Sequence, residues 1–351
     1  MLSERSLNRT LLQRQQLLER APMTALAMTE HLLGLQAQDP LPPYLSLWSR
    51  TRDFDPAEMS TALSDHRAVR LLLMRGTIHL VSPADALELR PLVQDMLDKV
   101  TRNSALSREA ADVARSDLAA AGRAALAAGP LSLPALGAAL ADTFPDHPPK
   151  ALANTVREML PLVQVPPRGL WKHPGGVVYE TAERWLGAGL SDKPDIREVV
   201  RRYLRAFGPA TPADVTAWSG VTGMRGAFDA MKDELVTYRD EKDKVLFDLA
   251  GLPLTDPDVP APVRLLGKYD NLWLSHADKA RVARPEKRKR WMGLNGGVGN
   301  TVFVDGYLEG LWRVDGGHVV LDMFRTLSTA EQHELDAEIA ALEQFLALPS
   351  C

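Results

Sequence analysis

Cysteine is almost missing from this chain: Cys351, the last residue, is the only one. Without a second cysteine there is no internal disulfide and no cysteine-built zinc site, and a reducing compartment suits the protein. Long hydrophobic runs are missing too. No stretch approaches the roughly 18 uncharged apolar residues of a membrane-spanning helix. The opening MLSERSLNRTLLQRQQLLER is too broken by charge to supply the apolar core of a secretory signal, so the expected location is the cytoplasm, with no membrane partner. The histidines fall in no HxxxH or HExxH spacing, which removes the usual metal-hydrolase patterns; no metal and no cofactor are expected. A net charge of −4 argues against a uniformly basic nucleic-acid coat, although a basic cleft beside an acidic outer face is compatible with it.

What remains is an ordinary globular composition, 45% apolar and 25% charged, in a chain of 351 residues, enough for two or three modules. Leu7, Leu11 and Leu18 share one face of an opening amphipathic helix. A second helical stretch covers 24–34, after which Pro40, Pro42 and Pro43 are expected to forbid helix through Gln36-Ala37-Gln38 and its exit, leaving that tripeptide at a helix end or in a loop. Asp55-Pro56 starts another helix. Val69 to Met74, the turn Arg75-Gly76-Thr77 and Ile78 to Val81 then read as a hairpin. Helices followed by a hairpin spell a winged helix.

The same order recurs twice, by spacing rather than identity. In the second copy, Leu133 to Phe144 and Pro148 to Leu160 read as helices, and 162–165 and 176–179 as strands around Pro166-Pro167-Arg168-Gly169. In the third, Ile196, Val199, Val200, Tyr203, Leu204 and Phe207 keep an i, i+3, i+4, i+7 pattern, Thr211-Pro212 opens the next helix, and 235–239 and 244–249 form a hairpin. Beyond a Pro- and Asp-rich loop, strand-like runs at 301–304, 307–314 and 318–324 precede a last helix with a Ser328/Glu331 capping box. The expected fold is mainly α with small β (α+β): winged-helix modules at 1–125, 126–190 and 191–250, then a β subdomain with a basic segment and a closing helix at 251–351.

In Gln36-Ala37-Gln38-Asp39-Pro40, residues two apart share a face only if the backbone is extended, and the pre-proline position of Asp39 favours that geometry. Both amides then point into one cavity; the alternative is that they cap a helix end or sit in solvent. Four blocks set the context: HLLGLQAQDP (31–40), LWSR (47–50), MRGTIHLV (74–81) and YDNLWLSHAD (269–278). Together, and in this order, they resemble the AlkZ-like bacterial DNA glycosylases, over nearly the whole chain. The resemblance implies a C-shaped array of three winged helices with a C-terminal β subdomain, excision of alkylated purines and unhooking of interstrand crosslinks. It also implies a catalytic motif of glutamine, an aliphatic residue, then glutamine or aspartate. Gln36 and Gln38 match the two-glutamine form, which the resemblance links to antibiotic self-resistance.

An amide is no general base at pH 7, so a glutamine-only site orients water and stabilises developing sugar charge, and the leaving group must already be good. Cationic N7- or N3-alkylpurines meet that condition. The expected enzyme is monofunctional, forms no Schiff base and leaves an abasic site. Asp39 either assists the water or makes a turn with Pro40. Its partner is double-stranded DNA containing alkylated or crosslinked purines, bound by a monomer. Expected DNA contacts come from Arg75, beside the first wing, and from the basic run Arg264 to Arg290, with Lys268, Lys279, Arg281, Arg284, Lys287, Arg288, Lys289 and Arg290. The other reading of that run is a solvated loop. His276 joins the DNA contacts or pairs internally with Asp278, and His79 either flanks the wing or is buried. Gly296-Gly297-Val298-Gly299-Asn300 lacks a phosphate-loop lysine and is expected at a hairpin tip approaching DNA. The competing function is a winged-helix transcriptional regulator without catalysis; no coiled-coil dimerisation helix supports it. A catalytically dead damage sensor is a third possibility.

Overall fold

Short polar side chains set where the helices begin. The computed structural model, which describes residues 1–292 and 299–350, caps Glu4–Arg14 with Ser3, Ala25–His31 with Thr24 and Pro56–Ser64 with Asp55, each side-chain oxygen accepting a first-turn N–H. Pro40, Pro42 and Pro43 act differently from expectation at the exit of the glutamine segment. Pro40 is the N-terminal flank and Pro42 and Pro43 lie in the first turn of Leu41–Trp48, where a missing N–H costs nothing, so they start a helix.

Gln36 ends a short strand, while Ala37 and Gln38 lie in the irregular stretch after it, so the segment is part strand edge and part loop. Leu33 and Gly34 take positive φ after Ala25–His31 and turn the chain; a Cβ on Gly34 would lie 2.6 Å from Val81. Leu35–Gln36 then pairs antiparallel with Ile78–Val81, Leu35 opposite Leu80 and Gln36 opposite His79. The hairpin Val69–Leu72/Ile78–Val81 is formed as expected.

The first two winged-helix regions share one sheet. Its order is Leu35–Gln36, Ile78–Val81, Val69–Leu72, Leu162–Gln164, Val178–Thr181, Leu131–Ser132, with Arg70 opposite Gln164 at the junction. Behind it, Leu133–Ala141 and Pro149–Met159 gather a separate apolar cluster around Leu136, Leu140, Leu152 and Val156. The third region has Ile196–Phe207, Pro212–Ser219, Met224–Ala230 and the hairpin Leu235–Arg239/Val245–Leu249, packed on Tyr203, Phe207, Trp218 and Phe228. The opening helix reaches it through Arg14, whose guanidinium grips Asp248 at 2.7 Å.

The C-terminal part is a four-stranded antiparallel sheet in the order His318–Met323, Tyr307–Asp315, Asn300–Val304, Arg264–Leu266, closed by Thr329–Ala347. The last of these strands falls inside the run read as basic. The architecture is α+β. Gly296, Gly297 and Val298, expected at a hairpin tip, lie outside the described residues. Among the described residues no helix is long and apolar enough to cross a membrane.

Candidate active site at the edge of the shared sheet

The extended backbone continues past Gln36, since the Ala37 N–H donates to the Ile78 carbonyl at 2.7 Å. Gln36 is 7% exposed, whereas Gln38 is open to solvent. Arg75 Nη2 donates to Gln36 Oε1 at 2.8 Å, and the Ile78 N–H donates to Gln38 Oε1 at 3.3 Å. Neither partner can accept, so each amide turns its oxygen inward and leaves its N–H2 as the outward group. The Ala37 carbonyl between them accepts from buried Arg70 at 2.7 Å. Gly169 lies so close over Arg70 that a Cβ would come within 2.4 Å of its guanidinium, which sets the loop after Pro166-Pro167 against this edge.

Arg75 occupies the hairpin turn with φ +56°. Besides Gln36 it donates to the Trp218 carbonyl, and it lies 3.3 Å from His79 Nε2. His79 Nδ1 is 3.0 Å from the Thr77 carbonyl, which only accepts, so Nδ1 carries the proton and the Nε2 lone pair faces Arg75. Burial, and then the charge of Arg75, push His79 down to about 3, so the ring is neutral at pH 7. Burial pushes Arg75 down to about 10, and no carboxylate neutralises it among the described residues. The nearest carboxylate in sequence, Asp39, is ion-paired with Lys268. The two stand on the wall of a cavity of about 770 Å³, with Leu41, Tyr44, Trp171, Trp312 and Val314 around it.

The expected basic surface separates into two groups. His276 is 3% exposed, with Nδ1 3.0 Å from Ser275 Oγ and Nε2 3.1 Å from Arg281. It faces neither solvent nor Asp278, whose carboxylate caps the Ala280 N–H. Arg281 also donates inward, to the Pro209 carbonyl at 2.8 Å, and Lys279 donates to the His276 carbonyl. Burial, then the charges of Arg288 and Arg75, bring Lys279 down to about 8. Lys287 is held by Glu309 at 2.5 Å, and Arg290 by Asp322 at 3.1 Å with its guanidinium over Phe324. Arg284, Arg288 and Lys289 are exposed with no carboxylate partner among the described residues. Sequence reasoning missed Arg70 and the Trp218 carbonyl. A lone charge inside Val69–Met74 was the available signal for Arg70; a backbone carbonyl gives none.

The chain is a DNA glycosylase built of helix-and-hairpin units in series, with two glutamines beside a sheet edge. The chain belongs to the AlkZ-like family: the family model described as DNA glycosylase AlkZ-like matches residues 29–345. Among solved structures, the Streptomyces sahachiroi DNA glycosylase AlkZ superposes with a TM-score of 0.82 at 23% identity, over 99% of this chain and 98% of that one, a likeness of fold. No curated protein matches the sequence.

Proposed function

We propose that this glycosylase hydrolyses the N-glycosidic bond of cationic N-alkylpurines in double-stranded DNA, bulky adducts and interstrand crosslinks included. The observation that carries the reading is that the site offers amides in place of a general base: two amides flank one short strand edge, and the nearest carboxylate in sequence, Asp39, is held by Lys268. Amides hold water and sugar oxygens in place but do not deprotonate them. The lesion must therefore supply the driving force. A purine alkylated at N7 or N3 is already cationic and leaves as a neutral base when the C1′–N bond breaks; water adds at C1′, and its proton passes to solvent. The enzyme's share is positioning, which alone is worth several kcal/mol of barrier.

A bulky substituent on the lesion has room in the cavity of about 770 Å³ that begins at Asp39, within the size range that receives drug-sized ligands. Arg284, Arg288 and Lys289 are free to meet phosphates, and the protein works as a monomer along the duplex. Purified protein is incubated with an oligonucleotide carrying N7-methylguanine or a nitrogen-mustard crosslink. Free base and an alkali-labile abasic site are expected, with no borohydride-trapped adduct. Gln36→Ala and Gln38→Ala each lose excision while binding DNA within a few-fold of the parent. Release of no base from either substrate sinks the reading.

A further inference from the structure

Arg75 is the one expected DNA contact that the fold turns inward onto a candidate catalytic side chain. Among the described residues no carboxylate pairs with it. Arg50 on Asp270, Arg14 on Asp248 and Arg202 on Asp85 meet carboxylates, whereas buried Arg70 and Arg90 meet backbone carbonyls and no carboxylate among the described residues. Arg75 instead spends its donors on the Gln36 amide oxygen and the Trp218 carbonyl and faces the neutral ring of His79. What sets Arg75 apart from Arg70 and Arg90 is that, of the three, it alone is held on the side chain of a candidate catalytic residue.

The contact set also spans the molecule. Trp218 ends the helix Pro212–Ser219 of the third winged-helix region, and the turn after it presses on the same arginine. A Cβ on Gly220 would lie 3.2 Å from the Arg75 backbone N. One guanidinium thus joins the end of a helix-turn-helix to the amide of Gln36, across 143 residues of sequence on one side and 39 on the other.

We propose that Arg75 is a positioning residue: it fixes the Gln36 amide with its oxygen inward and its N–H2 toward the reacting sugar or water, and it transmits the seating of the third winged helix to that amide. The inference rests on Gln36 being catalytic. Arg75 has only donors, so it permits a single orientation of the amide; without it the side chain rotates freely between two. A misplacement of about 1 Å at a reacting centre costs on the order of a hundredfold in rate.

The test is a double-mutant cycle in single-turnover excision of N7-methylguanine from duplex DNA, with affinity for undamaged duplex measured alongside. Arg75→Met should slow excision about ten- to a hundredfold at saturating enzyme, with affinity for undamaged duplex changed less than about threefold. Arg75→Lys, which keeps a donor at shorter reach, should recover part of the rate. Gly220→Ala, which pushes the third region off Arg75, should give a smaller loss of the same kind. In the Gln36→Ala background Arg75→Met should cost nothing further, because the two act as a unit. Multiplicative losses, or a drop in affinity with the saturated rate intact, overturn the proposal and make Arg75 a structural or phosphate-binding residue. If Gln36→Ala excises normally, the catalytic reading itself has failed; if it is inactive while Arg75→Met is normal, only this inference falls.

Discussion

Arg50 and Arg75 are arginines of the same N-terminal region, both withdrawn from solvent, with opposite surroundings. Arg50 is fully buried and places two N–H groups on the Asp270 carboxylate, both at 2.7 Å, and others on the Gln15 side chain and the Ser46 carbonyl. Asp270 in turn accepts from Ser46 and caps the Leu272 N–H. This network locks the opening helix, the helix Leu41–Trp48 and the C-terminal half together. Arg75 has no carboxylate among the described residues, and each of its partners there is neutral. A buried charge with its counter-charge is part of the scaffold. Arg70 and Arg90 also lack one and hold backbone carbonyls, so what distinguishes Arg75 under the proposal is the Gln36 amide it holds.

The contrast breaks most visibly at Asp270. Asp270→Ala leaves Arg50 buried and unpaired, and the expected loss is about 3–5 kcal/mol of unfolding free energy, read by urea denaturation. Arg75→Met removes an unpaired cation and should hold stability within about 1 kcal/mol. If Asp270→Ala proves as mild as Arg75→Met, the distinction between the two arginines collapses.

His79 gives the next largest effect, through pH. Its folded value lies at about 3, below the ordinary 6.5, so between these values the unfolded chain takes up a proton that the folded one refuses. The stability tied to neutral His79 is therefore whole above pH 6.5 and declines as pH falls toward 3, by about 1.4 kcal/mol per unit once below 6.5. His31 and His276, also lowered by burial, add to the acid sensitivity of the parent. The measurement is thus a difference: His79→Phe should remove close to one proton from the slope of stability against pH between 6 and 4. An unchanged slope would mean that the ring accepts a proton in place and does not present its lone pair to Arg75.

Much of the scaffold was legible because it rests on local rules. The apolar spacing of Ile196–Phe207, the Thr211 and Ser328 capping boxes and the turn at 75–77 state their structure within a few residues. The strands Leu131–Ser132 and Arg264–Leu266 are too short to show a period and exist only through partners far along the chain. Leu35–Gln36 was hidden for the same reason, and the prolines after it, read as forbidding helix, in fact begin one. The glutamines were legible as a motif, but their orientation was not, since it depends on Arg75 and on the Ile78 N–H. Counting basic residues could not tell which of them have partners within the protein, for a related reason: Glu309, which claims Lys287, lies 22 positions away, and nothing in the run 264–290 announces it.

The same opposition between paired and unpaired cations recurs at the surface, where it sets the smallest effect. Lys287 and Arg288 are neighbours on the helix Pro285–Met292; Lys287 is committed to Glu309, whereas Arg288 is exposed without a carboxylate among the described residues. A phosphate contact releases counterions, so each one lost should flatten the dependence of log affinity on log salt by about one. Arg288→Ala, Arg284→Ala and Lys289→Ala are expected to weaken duplex binding a few-fold each and to lower that slope, equally for damaged and undamaged DNA. Lys287→Ala should leave the slope where it was, since its charge is already spent within the protein. Fluorescence anisotropy titrations at several salt concentrations separate the two outcomes. A slope that falls for Lys287→Ala and not for Arg288→Ala would show that Glu309 releases its lysine when DNA arrives, and that the ion pairs of the free protein do not mark which cations meet the duplex.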